Sequence, residues 1–63
     1  MDSNTEADKL LTPKQVAALL QLHPVTVRRF INEGRLPAVR LGGKWLRIRQ
    51  SDVRSFVDAQ PRV

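Results

Sequence analysis

His23-Pro24-Val25-Thr26-Val27-Arg28-Arg29-Phe30-Ile31-Asn32-Glu33-Gly34 decides the fold of this 63-residue chain. Val27, Phe30 and Ile31 fall at the i, i+3, i+4 spacing of a buried helix edge. Val25, Thr26, Arg28, Arg29, Asn32 and Glu33 are left outside it. Pro24 suits a first helical position, where no backbone donor is needed, and Gly34 suits a left-handed stop. His23 stands where a cap belongs, although histidine caps less well than Ser, Thr, Asp or Asn.

Upstream, Thr12-Pro13-Lys14-Gln15 reads as the start of another helix. Thr12 can cap it, Pro13 fits its first position, and Gln15 can reach back to the Thr12 amide as a capping box. Leu11 and Val16 flank that cap at the spacing of a hydrophobic staple. The helix runs through Leu20, and Ala17 and Ala18 offer small side chains where two helices cross. Only Gln21-Leu22-His23 then separates the two helices. Two short helices joined by a three-residue turn, the second basic on its outer face, describe a helix-turn-helix.

Beyond Gly34 the period changes from helical to alternating. Ala38 to Leu41 and Lys44 to Ile48 read as two short strands around a Gly42-Gly43 hairpin turn, with Pro37 marking where the first begins. Val39 and Leu41, with Leu46 and Ile48, are expected on one apolar face, and the basic residues on the other. Such a ribbon is unstable alone and must lean on the helices. Ser51 to Ala59 returns to helical spacing, with Val53, Phe56 and Val57 as its buried edge and Pro61 as a stop. The expected fold is therefore mainly α with a small β-hairpin: a winged helix-turn-helix over residues 10–60. Residues 1–9 are polar and acidic and read as a disordered tail.

The charge is unevenly placed. Asp2, Glu6 and Asp8 against Lys9 leave the first nine residues at −2. Ten Lys/Arg against Glu33, Asp52 and Asp58 give the rest +7, which together make the net +5. A basic domain points to a polyanionic partner. With no cysteine and a single histidine there is no disulfide framework and no zinc centre, so no metal or cofactor is expected. No nucleophile–base pair is present, and the Gly-Gly pair lacks the Lys-Ser/Thr context of a phosphate-cradling loop, which argues against an enzyme. No apolar run is long enough to span a membrane and no leader is seen, so a soluble, cytoplasmic protein is expected.

These residues together resemble a known family. Leu11-Thr12-Pro13, Val16-Ala17, Leu19-Leu20, Thr26-Val27, Arg29-Phe30-Ile31, Glu33-Gly34-Arg35-Leu36-Pro37-Ala38 and Gly42-Gly43-Lys44-Trp45 are similar to the excisionases, small MerR-like winged helix-turn-helix proteins. The likeness covers about residues 10–59. It departs from the family at His23, where Ser or Asp is usual, and by an extra residue between Gly43 and Arg47. The resemblance implies an architectural protein of a phage or other mobile element. Such a protein binds and bends attachment-site DNA beside an integrase and turns recombination toward excision. Relatives of the BldC type act instead as transcription regulators, and both kinds can line up head to tail on DNA.

On that reading duplex DNA is the partner, and integrase is a second partner implied by the resemblance. His23, Val25, Thr26, Arg28 and Arg29 are the candidates for contact from the recognition helix. Thr26 can meet a thymine methyl or a phosphate, and Arg29 can fork onto guanine or phosphate. Arg40, Gly42, Gly43, Lys44 and Arg47 are the candidates from the wing, whose glycines allow a narrow tip. Trp45 is expected to pack into the domain, with a neighbouring copy or the sugar-phosphate backbone as alternatives. A third hypothesis, from another class, is a protein-interaction adaptor whose basic face docks an acidic partner.

Overall fold

A computed structural model of the chain describes residues 8–63. Helix α1 (Pro13–Leu20) opens on the expected capping box. Thr12 Oγ1 accepts from the Gln15 amide at 3.0 Å, and Gln15 Oε1 accepts from the Thr12 amide at 2.9 Å. Helix α2 (Pro24–Asn32) opens on Pro24, and the His23 side chain does act as its cap: Nδ1 accepts from the Val25 amide at 3.2 Å.

Both helices end in the same way. After α2, Gly34 takes φ +77°, the Gly34 amide donates to Ile31 O and the Arg35 amide to Phe30 O. After α1, Gln21 takes φ +57°, its amide donates to Ala18 O and the Leu22 amide to Ala17 O. These paired bonds satisfy carbonyls that a helix end leaves open. The left-handed residue also turns the chain sharply enough to bring α2 across α1.

Leu11, Val16, Ala17, Val27, Leu36, Ile48 and Val53 form the core, with Leu20, Phe30, Ile31, Ala38 and Phe56 packed partly against it. Of the two alanines, Ala17 enters this core and Ala18 stays exposed. Leu36, in the loop after α2, is fully buried and plugs the space between the helices and the sheet.

Strand β1 (Leu10–Leu11) joins the two wing strands, β2 (Val39–Leu41) and β3 (Trp45–Arg49), in the order β1-β3-β2. Leu11 lies opposite Ile48, and both are buried. The sequence reading missed β1 because a two-residue strand shows no alternation. The wing loop also differs from expectation. Leu41 pairs with Trp45, so the turn takes three residues, Gly42 to Lys44, rather than two. One residue of register moves every side chain to the other face. Val39 and Leu41 therefore stand beside Arg47 and Trp45, while Arg40 stands beside Leu46. The expected clean split into an apolar and a basic face does not occur.

Helix α3 (Gln50–Asp58) follows β3 directly. Val53 is buried, and Phe56 meets Phe30 with ring centroids 5.2 Å apart and planes tilted by 43°. Val57, expected in the same buried edge, is 46% exposed, because only the Val53–Phe56 side of this outer helix faces the core. Arg49 supplies no side-chain cap. The first amides of α3 turn instead to Asp8 and Lys9. Gln50 N–H donates to Lys9 O at 2.8 Å, and the Ser51 amide and hydroxyl donate to Asp8 Oδ1 at 3.1 and 2.8 Å. Asp8 Oδ2 lies 3.6 Å from Arg49 Nε. Residues 8 and 9, read as the end of a disordered tail, are thus bonded to the domain; residues 1–7 lie outside the described residues.

Candidate nucleic-acid interface

The core takes one side of α2, so its opposite side is set by helical spacing alone. Val25, Arg28, Arg29 and Asn32, at i, i+3, i+4 and i+7, are all exposed there. Val25 is 63% exposed. Thr26 is half-buried, because it sits at the margin where α2 meets the rest of the domain. His23 is exposed at the turn. Its Nδ1 is committed as an acceptor to Val25, which leaves Nε2 as the nitrogen free to donate outward.

The wing supplies the second group. Gly42 and Gly43 take φ +60° and +72°, conformations that only glycine adopts without strain. They place Lys44 at the tip. Arg40 and Lys44 are exposed, and Arg47 is half-buried with Nη1 donating to Leu46 O at 2.7 Å.

The two groups meet across a cleft of about 330 Å³ between α2 and the wing. Arg28 and Asn32 line it from the helix, and Arg40, Lys44, Trp45 and Arg47 from the wing. Four cationic side chains converge there with no carboxylate among the lining residues. Among the described residues, the ion pairs are Arg35–Glu33 and Arg49–Asp8, both elsewhere. Like charges held together in this way repel one another unless a polyanion sits among them. A larger depression of about 590 Å³ lies between Arg35, Pro37 and α3, but it carries both Arg35 and Asp52 and so has no single sign of charge.

The structure therefore brings Arg28 together with Arg40, Lys44 and Arg47. It leaves His23, Val25, Thr26 and Arg29 on the helix and turn outside the cleft, and Gly42 and Gly43 as the tip that shapes it. Pro13, Asn32 and Leu46 also line the cleft and were not contact candidates in the sequence. Asn32 lies one turn beyond Arg28, so helical spacing contains the signal. Trp45 was expected inside the domain but is 57% exposed. Its position follows from alternation along β3, which puts it on the face opposite the buried Ile48. Among the described residues no group of His, Asp or Glu side chains could hold a metal ion, and no helix is long and apolar enough to cross a membrane.

Comparison with known proteins agrees with this geometry. Residues 10–61 match the pattern of the helix-turn-helix domain family. Mycobacterium phage D29 has an excisionase 41% identical over 44 residues, covering 70% of this chain and 79% of the excisionase. Two Mycobacterium tuberculosis proteins named for DNA binding, from strains CDC 1551 and H37Rv, are each 50% identical over 34 residues. That match covers 54% of this chain and 44% of each of theirs, so the chain spans less than half the length of these two relatives. With the family's pattern running through both helices, the wing and α3, the chain belongs to the helix-turn-helix domain family, a DNA-binding family that includes excisionases.

Proposed function

We propose that this protein is an excisionase-type architectural factor, acting by binding rather than by catalysis. Helix α2 lies in the major groove of attachment-site DNA, with His23, Val25, Thr26, Arg28 and Arg29 toward bases and phosphates. The wing enters the adjacent minor groove with Gly42 and Gly43 at its tip and Arg40, Lys44 and Arg47 on the backbone. Copies bind side by side, head to tail, and bend the duplex, and a neighbouring integrase is thereby directed toward excision. The site of action is DNA in a bacterial cytoplasm.

The observation that carries this reading is the cleft in which Arg28 from α2 and Arg40, Lys44 and Arg47 from the wing converge without a carboxylate. An adaptor for an acidic protein would also use cations. It would not need them divided between a helix and a hairpin, the two elements by which a winged helix-turn-helix meets DNA. The similarity to a phage excisionase supports the excisionase role over that of a regulator.

An electrophoretic shift on attachment-site duplexes of increasing length tests it, with Arg28→Ala and Arg29→Ala beside the natural protein. About 5–8 phosphate contacts are expected, so affinity falls roughly 10³- to 10⁴-fold between 50 and 200 mM salt. Discrete, cooperative, bent complexes that weaken in the variants support the proposal. A single unbent complex at one palindrome would make the protein a conventional transcription regulator. Absence of binding at low salt would overturn the DNA reading.

A further inference from the structure

Trp45 is the chain's single tryptophan, and an indole is normally the largest burial a small domain can make. Here the core closes without it, around Val16, Val27, Leu36 and Ile48. The ring is nevertheless held in place. Its Cζ3 and Cε3 atoms lie 3.8 and 3.9 Å from where a side chain would begin on Gly42, and Lys44 Nζ sits over it, 5.5 Å from the ring centroid. Leu41, its cross-strand partner on the same face, is 44% exposed. Trp45 thus stands among the cations of the cleft, braced by the turn, with exposed Leu41 beside it on the same face.

We propose that Trp45, seconded by Leu41, is a DNA-contacting residue of the wing. The indole packs against deoxyribose on the wall of the minor groove while Lys44 and Arg47 hold the flanking phosphates. The inference rests on the DNA-binding reading above and adds to it a contact that carries no charge. A nucleic-acid backbone offers apolar sugar edges between phosphates, which matches an indole set between cations. A second copy of this chain fits less well, since it brings its own net +5 toward four cations already together. Insertion between base pairs needs both ring faces bare, and the Lys44 ammonium lies over one of them.

Because the contact is apolar it releases no counterions, and this separates it from the arginines. Trp45→Ala lowers affinity for a duplex just long enough for one copy about 5- to 10-fold, yet leaves the slope of log affinity against log salt unchanged. Arg47→Ala lowers that slope by about one. Trp45→Phe recovers most of the affinity. The full chain also reports on itself, since its one tryptophan gives the only indole emission. Saturating duplex should shift and quench that emission and shield it from acrylamide.

Emission unchanged at saturation, with binding seen by electrophoretic shift, sinks the proposal and leaves the DNA reading standing. Normal single-copy affinity in Trp45→Ala with lost cooperativity on long duplexes would reassign Trp45 to a copy-to-copy contact. If Trp45→Ala does not fold, as judged by circular dichroism, the emission data and Trp45→Phe still decide. Failure of the natural protein to bind any duplex is the distinct failure of the underlying reading.

Discussion

Helices α1 and α3 both need partners for their first amides, and they find them at opposite distances along the chain. Thr12 and Gln15 cap α1 from three residues apart. Asp8 caps α3 at Ser51 from 43 residues away. The first arrangement forms as soon as the helix does. The second forms only when β1 has paired with β3 and the chain has closed on itself, which requires ordering a long loop. The helix-turn-helix is thus assembled from neighbours, whereas the sheet and α3 are assembled from the two ends of the chain. The cationic cleft belongs to neither half alone. Arg28 comes from the local half and Arg40, Lys44 and Arg47 from the closed half, so the cleft exists only when the halves are docked.

The strongest way to break this arrangement is at Ile48. Its side chain is fully buried in the central strand, opposite Leu11 and within the core that α1 and α2 share. Ile48→Ala should cost about 3 kcal/mol, a large part of what a domain this small can possess. Urea denaturation followed by circular dichroism should show helical signal lost in one step at a lower midpoint. Retention of the α1–α2 signal after the sheet has gone would mean that the local half stands by itself and does not depend on the closed half.

The caps themselves offer a sharper test. Thr12→Ala should destabilise by about 1 kcal/mol, a usual value for losing a cap. Asp8→Ala should cost about 1–2 kcal/mol, because it removes two hydrogen bonds to Ser51 and the neighbour of Arg49 together. Double-mutant cycles by urea denaturation then tell local from closed. Asp8→Ala and Ser51→Ala share a bond and should couple by at least about 0.5 kcal/mol, whereas Asp8→Ala and Thr12→Ala should add. Additivity at the first pair would remove the distant cap.

The same division governs what the sequence makes legible. Thr12-Pro13-Lys14-Gln15, the three-residue turn and the Val27, Phe30, Ile31 edge are signals contained within a few residues, and the structure matches each. The errors fall in the closed half. Leu10-Leu11 is too short to announce a strand, and Asp8 looks like tail because its partner lies 43 residues on. Val57 has the right helical spacing but lies beyond the reach of the core. In the wing, a turn longer by one residue exchanged the faces of Val39 and Leu41, while Trp45 is in the open because it falls on the face of β3 opposite Ile48. The cations of the candidate interface were readable as types, but their convergence on one cleft depends on that register.

The two helix ends allow the comparison to be refined inside the local half. A side chain added at Gly34 would meet nothing within 4 Å, so Gly34→Ala tests backbone conformation alone. At φ +77° it should lower stability by about 1 kcal/mol, read as a lower urea midpoint with unchanged slope.

Gln21 repeats that geometry with a side chain where the other end has none, at φ +57°. The left-handed strain of an ordinary residue is about 1–2 kcal/mol, and the entropy glycine loses on folding returns about 0.5–1 of it. Gln21→Gly should therefore raise stability by about 0.5 kcal/mol. Gln21 lies outside the cleft, so affinity for DNA at a fixed salt concentration should not change. A rise in stability accompanied by weaker binding would carry a different meaning. The rigidity of this turn, set by a residue held in a costly conformation, would then be part of how α2 is presented to the groove.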